Sequence, residues 1–179
     1  MTQAMQFLID TLFNLVLMVV LLRLWLQWSR ADFYNPLSQS IVRLTNPLII
    51  PLRRLIPSIG PVDTAGVVLA LLIVVLKLVL IQLLVLGTID MGLTLRATFS
   101  TLLRESLNLV FWVLIIRAIL SWFSQGNNPV EGVLGQLTEP MLRPIRRIVP
   151  QVGGLDLSIL VLVIALQFVQ ILLQQWLAS

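Results

Sequence analysis

PLIIPLRRLIPSIGPVD at residues 47–63 and PMLRPIRRIVPQVGGLD at residues 140–156 are one pattern written twice. Pro47, Pro51 and Pro57 return as Pro140, Pro144 and Pro150, and Arg53–Arg54 return as Arg146–Arg147. Gly60 returns as Gly153, and Asp63 as Asp156. Working outward, LTNP at 44–47 answers LTEP at 137–140, and Asn35–Pro36 answers Asn128–Pro129. Further upstream RLWLQW at 23–28 answers RAILSW at 117–122, with Arg23 on Arg117 and Trp28 on Trp122. The offset is 94 before a one-residue slip and 93 after it. Such a register means a tandem repeat, and a repeat decides the architecture before any single element does.

The flanks of the pattern are apolar. The chain of 179 residues is 58% hydrophobic and 11% charged, with a mean hydropathy of +0.99. A soluble domain has about 45–50% apolar and about 25% charged residues. Stretches near 6–28, 66–88, 106–123 and 157–177 approach or exceed the roughly 20 residues that cross a bilayer. The reading is an all-α membrane protein with four transmembrane helices as two parallel repeats, residues 1–92 and 93–179. Each repeat holds two spans in the same direction, related by an axis along the membrane normal. Asp10 inside the first apolar stretch, with no Lys or Arg before it, reads as a retained helix rather than a cleaved signal peptide.

Between the spans of each repeat lies a Pro-broken amphipathic segment, 36–57 and 129–150. Leu37, Ile41, Leu44, Leu48, Leu52 and Leu55 follow the spacing of one helix face, as do Val130, Leu134, Leu137, Met141, Ile145 and Ile148. Each internal proline removes a donor and crowds the carbonyl four residues earlier. The expectation is a short helix, a bend and a second short helix, lying in the interface plane. A re-entrant segment is the competing arrangement, if its broken backbone is buried in protein or faces water. Seven arginines fall in the long connections 29–65 and 124–156 against Arg96 and Arg104 in the loop between repeats. By that bias the long segments are cytoplasmic and both termini lie outside.

The paired proline–arginine strings with the following aspartate resemble the YggT family, also called the YlmG-related family, over nearly the whole chain as two family units. The resemblance implies a small multi-pass protein of the bacterial cytoplasmic (inner) membrane, with relatives in plastid membranes. It implies links to osmotic and cation tolerance, to envelope and division organisation, and in plastids to assembly of photosynthetic membranes. It carries no catalytic residues.

The polar residues divide into three candidate sets. Arg23 and Arg117 lie near the cytoplasmic ends of their spans, within snorkelling reach of the interface, and Asp63 and Asp156 stand just before the next span. The expected pairs are Arg23–Asp63 and Arg117–Asp156, or the same pairs exchanged between repeats, serving as a clamp or as a gate built on the carboxylates. Lys77 lies mid-span, and its counterpart Gln170 shares a face with Gln167 and Gln174. With Asn14 and Asn108 these form a candidate intramembrane polar path, or interhelical hydrogen-bond glue, and the glutamine stripe is expected to look into the bundle. Asp10 matches Arg104 with inverted sign, so a contact between them would tie the repeats together. Arg53, Arg54, Arg146 and Arg147 set topology and are candidates for anionic headgroups or an acidic partner. Trp25, Trp28, Trp122 and Phe123 read as an aromatic belt at the interface, with Trp112 and Trp176 in or near spans.

No histidine or cysteine is present, which removes the usual proton shuttle and the commonest metal ligands. No phosphate loop of the Walker type appears, so neither an enzyme nor a cofactor is expected. The basic residues are few and explained by topology, which argues against nucleic acid. Two functions remain: a non-enzymatic membrane organiser or assembly factor, and an oligomeric channel- or transporter-like protein affecting cation or osmotic balance. The partners are the bilayer, with anionic headgroups, and a second copy or other membrane proteins.

Overall fold

The computed structural model describes residues 2–58, 63–123, 128–149 and 156–178, without the side chains of 121–123, 177 and 178. Gly60, Pro150, Gly153 and the side chains of Trp122 and Phe123 therefore lie outside the described part. Within it the chain is all-helical: α1 Thr2–Trp28, α2 Pro36–Leu55, α3 Thr64–Leu86, α4 Met91–Phe123, α5 Pro129–Arg146 and α6 Leu157–Ala178. Among the described residues α1, α3 and α6 are long and apolar enough to cross a membrane.

The helix ends follow local chemistry. Asn35 and Asn128 cap α2 and α5, each side-chain oxygen accepting from the amide two residues on at 2.9 Å. Pro36 and Pro129 then occupy the first helical position, where a missing N–H costs nothing. Gly87 ends α3 at φ +68°, a left-handed conformation that a Cβ would penalise. Asp90 starts α4 by accepting from Leu93 N at 3.0 Å.

The long helices form a bundle, with α2 and α5 packed at one end and both termini at the other. α3 packs on α1, α2 and α4, and α6 packs on α4 and α5. The core between the first two long helices is made by Leu17, Val20 and Leu21 from α1 with Leu69, Ala70, Ile73 and Val74 from α3. These helices approach closely because Ala65, Gly66 and Ala70 present little side chain. A Cβ on Gly66 would lie 2.7 Å from Leu24 Cδ2. The corresponding position on α6 is Ile159, which joins Leu114 and Leu142 in a separate, smaller cluster.

The prolines do not break α2 or α5, contrary to the sequence expectation. α2 runs unbroken through Pro47 and Pro51, and α5 through Pro140 and Pro144. All four prolines lie on exposed positions, so the carbonyls they leave unpaired face away from the packed side. The packed side carries the tertiary bonds described below, which hold the helix where its own ladder is interrupted.

The packed side of α2 coincides with the apolar stripe only at Ile41, with Leu37 and Leu52 partly buried against the core. Its buried residues are Ser38, Ile41, Thr45 and Ile49. At about 100° per residue, Leu44, Leu48 and Leu55 form a second face turned roughly a quarter turn away, and all three are exposed. Arg43 and Arg54 occupy a third sector, also exposed. On α5 both of the first two faces are covered: Leu134, Leu137, Thr138 and Leu142 are buried. Leu137 is 1% exposed where its counterpart Leu44 is 68% exposed. α5 is seated on the corner between α1 and α2. Two hydrogen bonds across the repeats fix it there, Asp32 N to Gln136 Oε1 at 2.7 Å and Asn35 Nδ2 to the Pro129 carbonyl at 2.8 Å.

Candidate functional site

Two polar regions stand out, one at the α2/α5 end and one in the opposite half of the bundle. At the first, Arg23 is buried in α1 and turned onto α2. Its Nη1 donates to Thr45 Oγ1 at 2.5 Å, Asn46 Oδ1 at 2.9 Å and the Val42 carbonyl at 3.3 Å. Thr45 can accept because its own hydroxyl proton is committed to the Ile41 carbonyl at 2.7 Å, the back-bonding habit of helical threonine. The second repeat copies this staple. Arg117 Nη1 donates to Thr138 Oγ1, and Thr138 Oγ1 donates to the Leu134 carbonyl at 2.7 Å.

The expected Arg23–Asp63 and Arg117–Asp156 pairs are therefore not formed, in either arrangement. Asp63 is held by Arg53 at 2.6 Å and Asp156 by Arg146 at 2.5 Å. The physical reason is reach. Each carboxylate lies within hydrogen-bond reach of an arginine ten residues earlier, on the short helix before it. The arginines of α1 and α4 meet threonines on the intervening helix first. Each aspartate also starts the next long helix: Asp63 Oδ1 accepts from Gly66 N at 3.4 Å, and Asp156 Oδ1 from Ser158 N at 3.1 Å. One carboxylate thus fixes the angle between the short helix and the following long one.

The electrostatics follow from these contacts. The hydrogen bond that Arg53 donates to Asp63 raises the Arg53 pKa against the opposing effect of burial. Asp156 raises that of Arg146 in the same way. Burial works against ionisation of Asp156, but hydrogen bonds from Arg146 and Ser158 outweigh it and hold the carboxyl below the usual aspartate value. In the second repeat Glu139 joins the set, with oxygens 3.1 Å from Arg146, 3.7 Å from Arg117 and 3.7 Å from Arg143. Its counterpart in the first repeat is Asn46. Arg54 and Arg147 are exposed, like Arg43, and form no ion pair with another described residue.

In the opposite half Lys77 is 5% exposed. Its Nζ donates to Asn14 Oδ1 at 2.9 Å and lies 3.4 Å from Asp10 Oδ1. Asn14 and Asn108 line one cavity of about 320 Å³ between α1 and α4, together with Thr11 and Glu105. The glutamine stripe turns only in part toward the bundle. Gln167 and Gln174 are exposed and Gln170 is half-buried, because α6 packs mainly on α4 and α5. The expected Asp10–Arg104 contact is absent, since Asp10 is taken by Lys77 within its own repeat. Gln170 and Gln174 instead line a second cavity with Arg104.

The aromatic belt is partly corrected. Trp25 is buried in the core, whereas Trp28, Trp112 and Trp176 are exposed. The residues missed by sequence reasoning are Thr45, Thr138 and Glu139. The two threonines stand inside the repeated LTNP and LTEP strings, so the signal was present in the register itself.

A family profile described as CCB3/YggT matches residues 2–84 and again 97–177. An uncharacterized protein in the proC 3′ region of Vibrio alginolyticus is 55% identical over 175 residues, covering 95% of this chain and 93% of that protein. The uncharacterized protein YggT of Escherichia coli K12 is 45% identical over 160 residues, covering 89% and 84%. An uncharacterized protein of Pseudomonas aeruginosa is 42% identical over 182 residues, covering 97% and 89%. No solved structure matches.

Proposed function

The chain belongs to the CCB3/YggT family, and from that premise we propose that it is a non-enzymatic organiser of the bacterial cytoplasmic membrane. Its role is connected with envelope or osmotic homeostasis. In this reading α4 supplies the fourth span from about residue 106 onward, where Arg117 is the only charge up to Leu120. Both termini then lie outside, and α2 and α5 lie in the cytoplasmic interface.

The observation that carries the reading is the division of labour within each arginine pair. Arg53 and Arg146 are consumed by Asp63 and Asp156, which lock the short helix to the next span. The neighbouring Arg54 and Arg147 stay exposed. A rigid helix that holds a fixed cation beside an exposed apolar face suits an interface of lipid and anionic headgroups. Each such cation is worth about 1 kcal/mol near an anionic surface. The packed interior around Leu17, Val20, Ile73 and Val74 separates the polar groups at the two ends, which speaks against a conducting path through one chain.

The second reading, an oligomeric channel- or transporter-like protein, is favoured by the Lys77–Asp10–Asn14 cluster beside a polar-lined cavity. Proteoliposomes containing fluorescent phosphatidylglycerol separate the two. The organiser is expected to give no cation flux above protein-free vesicles. It should enrich the fluorescent lipid around wild type, and less so around Arg54→Gln/Arg147→Gln. Cation flux that changes in Lys77→Ala would replace this proposal with the second reading.

A further inference from the structure

The two repeats carry opposite charges at one equivalent position. Under the repeat register Asp10 corresponds to Arg104, and Lys77 to Gln170. In the first repeat the cation stands on the second long helix and is closed internally by the Asp10 carboxylate and the Asn14 amide oxygen. In the second repeat the cation stands on the first long helix, and the facing helix offers only glutamines. No carboxylate of a described residue lies within ion-pair distance of Arg104. The side chains of Arg104, Gln170 and Gln174 hydrogen-bond no other described residue.

These three side chains converge on a cavity of about 200 Å³ between α4 and α6, walled by Leu103, Leu107 and Leu173. Glu105, adjacent in sequence, lines the other cavity beside Asn14 and does not neutralise this one. Ser100 also lines the site, but its hydroxyl is committed to the Ala97 carbonyl at 3.0 Å. The donors left are one guanidinium fork and two primary amides, and the walls are apolar.

We propose that this cavity binds an oxyanion of the phosphate class, either the headgroup phosphate of an anionic phospholipid or free inorganic phosphate. A guanidinium presents parallel N–H donors that match two phosphate oxygens, and the amides supply further donors to the same group. The ligand takes the place that the Asp10 carboxylate fills in the first repeat. Arg104 stands 19 residues before the end of α4, about 28 Å along the helix axis, near the far boundary of a hydrocarbon core about 30 Å thick. That depth matches a lipid phosphate. The depth, but not the donor set, rests on α4 being the fourth span.

Native mass spectrometry of the full chain tests the site. The protein is stripped of lipid in a neutral detergent, then titrated separately with phosphatidylglycerol and with inorganic phosphate. Wild type is expected to hold one more ligand per chain than Arg104→Gln, or to bind it at least tenfold more tightly. Gln170→Glu supplies the missing carboxylate in place and should abolish the same binding event, which keeps the test open if Arg104→Gln does not fold. Saturation by the lipid alone identifies a headgroup site, and saturation by phosphate alone a soluble-anion site. The proposal is overturned if folded Gln170→Glu binds both probes with wild-type stoichiometry and affinity. That result would leave the organiser reading standing, since it rests on Arg54 and Arg147 at the other end of the molecule.

Discussion

In the first repeat Arg23 is satisfied by neutral groups, Thr45, Asn46 and the Val42 carbonyl, while Arg53 separately holds Asp63. In the second repeat Glu139 stands where Asn46 does. It approaches both Arg117 and Arg146, and Arg146 continues to Asp156. One corner is thus two independent contacts, and the other is a single charged network. The packing differs in the same sense: α5 is covered on two faces, α2 on one. The lesson is that duplication preserved the connections that set the helix angles, Arg to Thr and Arg to Asp. The surfaces around them diverged: Leu137 is buried where its counterpart Leu44 is exposed.

The largest expected difference between the repeats lies in packing. Leu137→Ala should cost about 2–5 kcal/mol by removing a buried side chain from a filled site. Leu44→Ala, at the equivalent exposed place, should change stability by no more than about 0.5 kcal/mol. Thermal unfolding in one detergent compares the two directly, and equal losses would mean that the Leu44 face is also covered. Next comes the threonine acceptor. Thr45→Val removes one hydrogen-bond acceptor from the buried Arg23 and Thr138→Val one from the half-buried Arg117, at about 1–3 kcal/mol each. The first should cost more, since Arg117 retains Glu139 and Arg23 has no carboxylate within ion-pair distance among the described residues. The reverse ranking would show that Glu139 contributes nothing to holding Arg117.

Much of this arrangement is legible in the sequence. The repeat register places the Asn35/Asn128 and Asp63/Asp156 caps and the staple residues in pairs, and Asn–Pro announces the start of α2 and α5 by the chemistry of the side chain and the ring. The pairing was misread for a physical reason. Sequence places Arg23 and Asp63 at the same end of neighbouring spans, but it does not show that Arg53, on the short helix, reaches Asp63 first. The orientation of α2 was hidden for another reason. Hydrophobic periodicity marks Leu44 and Leu48, yet the side that packs contains Ser38 and Thr45, polar residues whose burial depends on partners elsewhere in the chain. The prolines misled because the penalty for an interrupted ladder is local, while the bonds that offset it are tertiary.

A smaller effect is expected from moving the network itself. Asn46→Glu should place a carboxylate between Arg23 and Arg53, as Glu139 stands between Arg117 and Arg146, and raise stability by up to about 1 kcal/mol. Glu139→Asn should lower it by a similar amount. The gain and the loss should both shrink as salt is raised, because Arg53, Arg146 and Glu139 are partly exposed and screened. A gain in Asn46→Glu that is indifferent to salt would point to a neutral hydrogen bond in place of the network.

The smallest effect is the response to acid, and its sign follows from Asp156. Hydrogen bonds from Arg146 and Ser158 outweigh burial and depress its folded pKa, whereas an unfolded aspartate titrates near about 3.9. The pair therefore stabilises the fold fully above about pH 5. That contribution fades as pH falls past the unfolded value and through the lower folded one. Because Arg146 and Asp156 are both partly exposed, the amount at stake is a few tenths to about 1 kcal/mol. Melting curves between pH 6 and pH 3 should fall more steeply for wild type than for Asp156→Asn, which has no proton to take up at this position. Parallel curves would mean that the carboxylate does not fix the entry to α6, and that the aspartate serves there only as a helix cap.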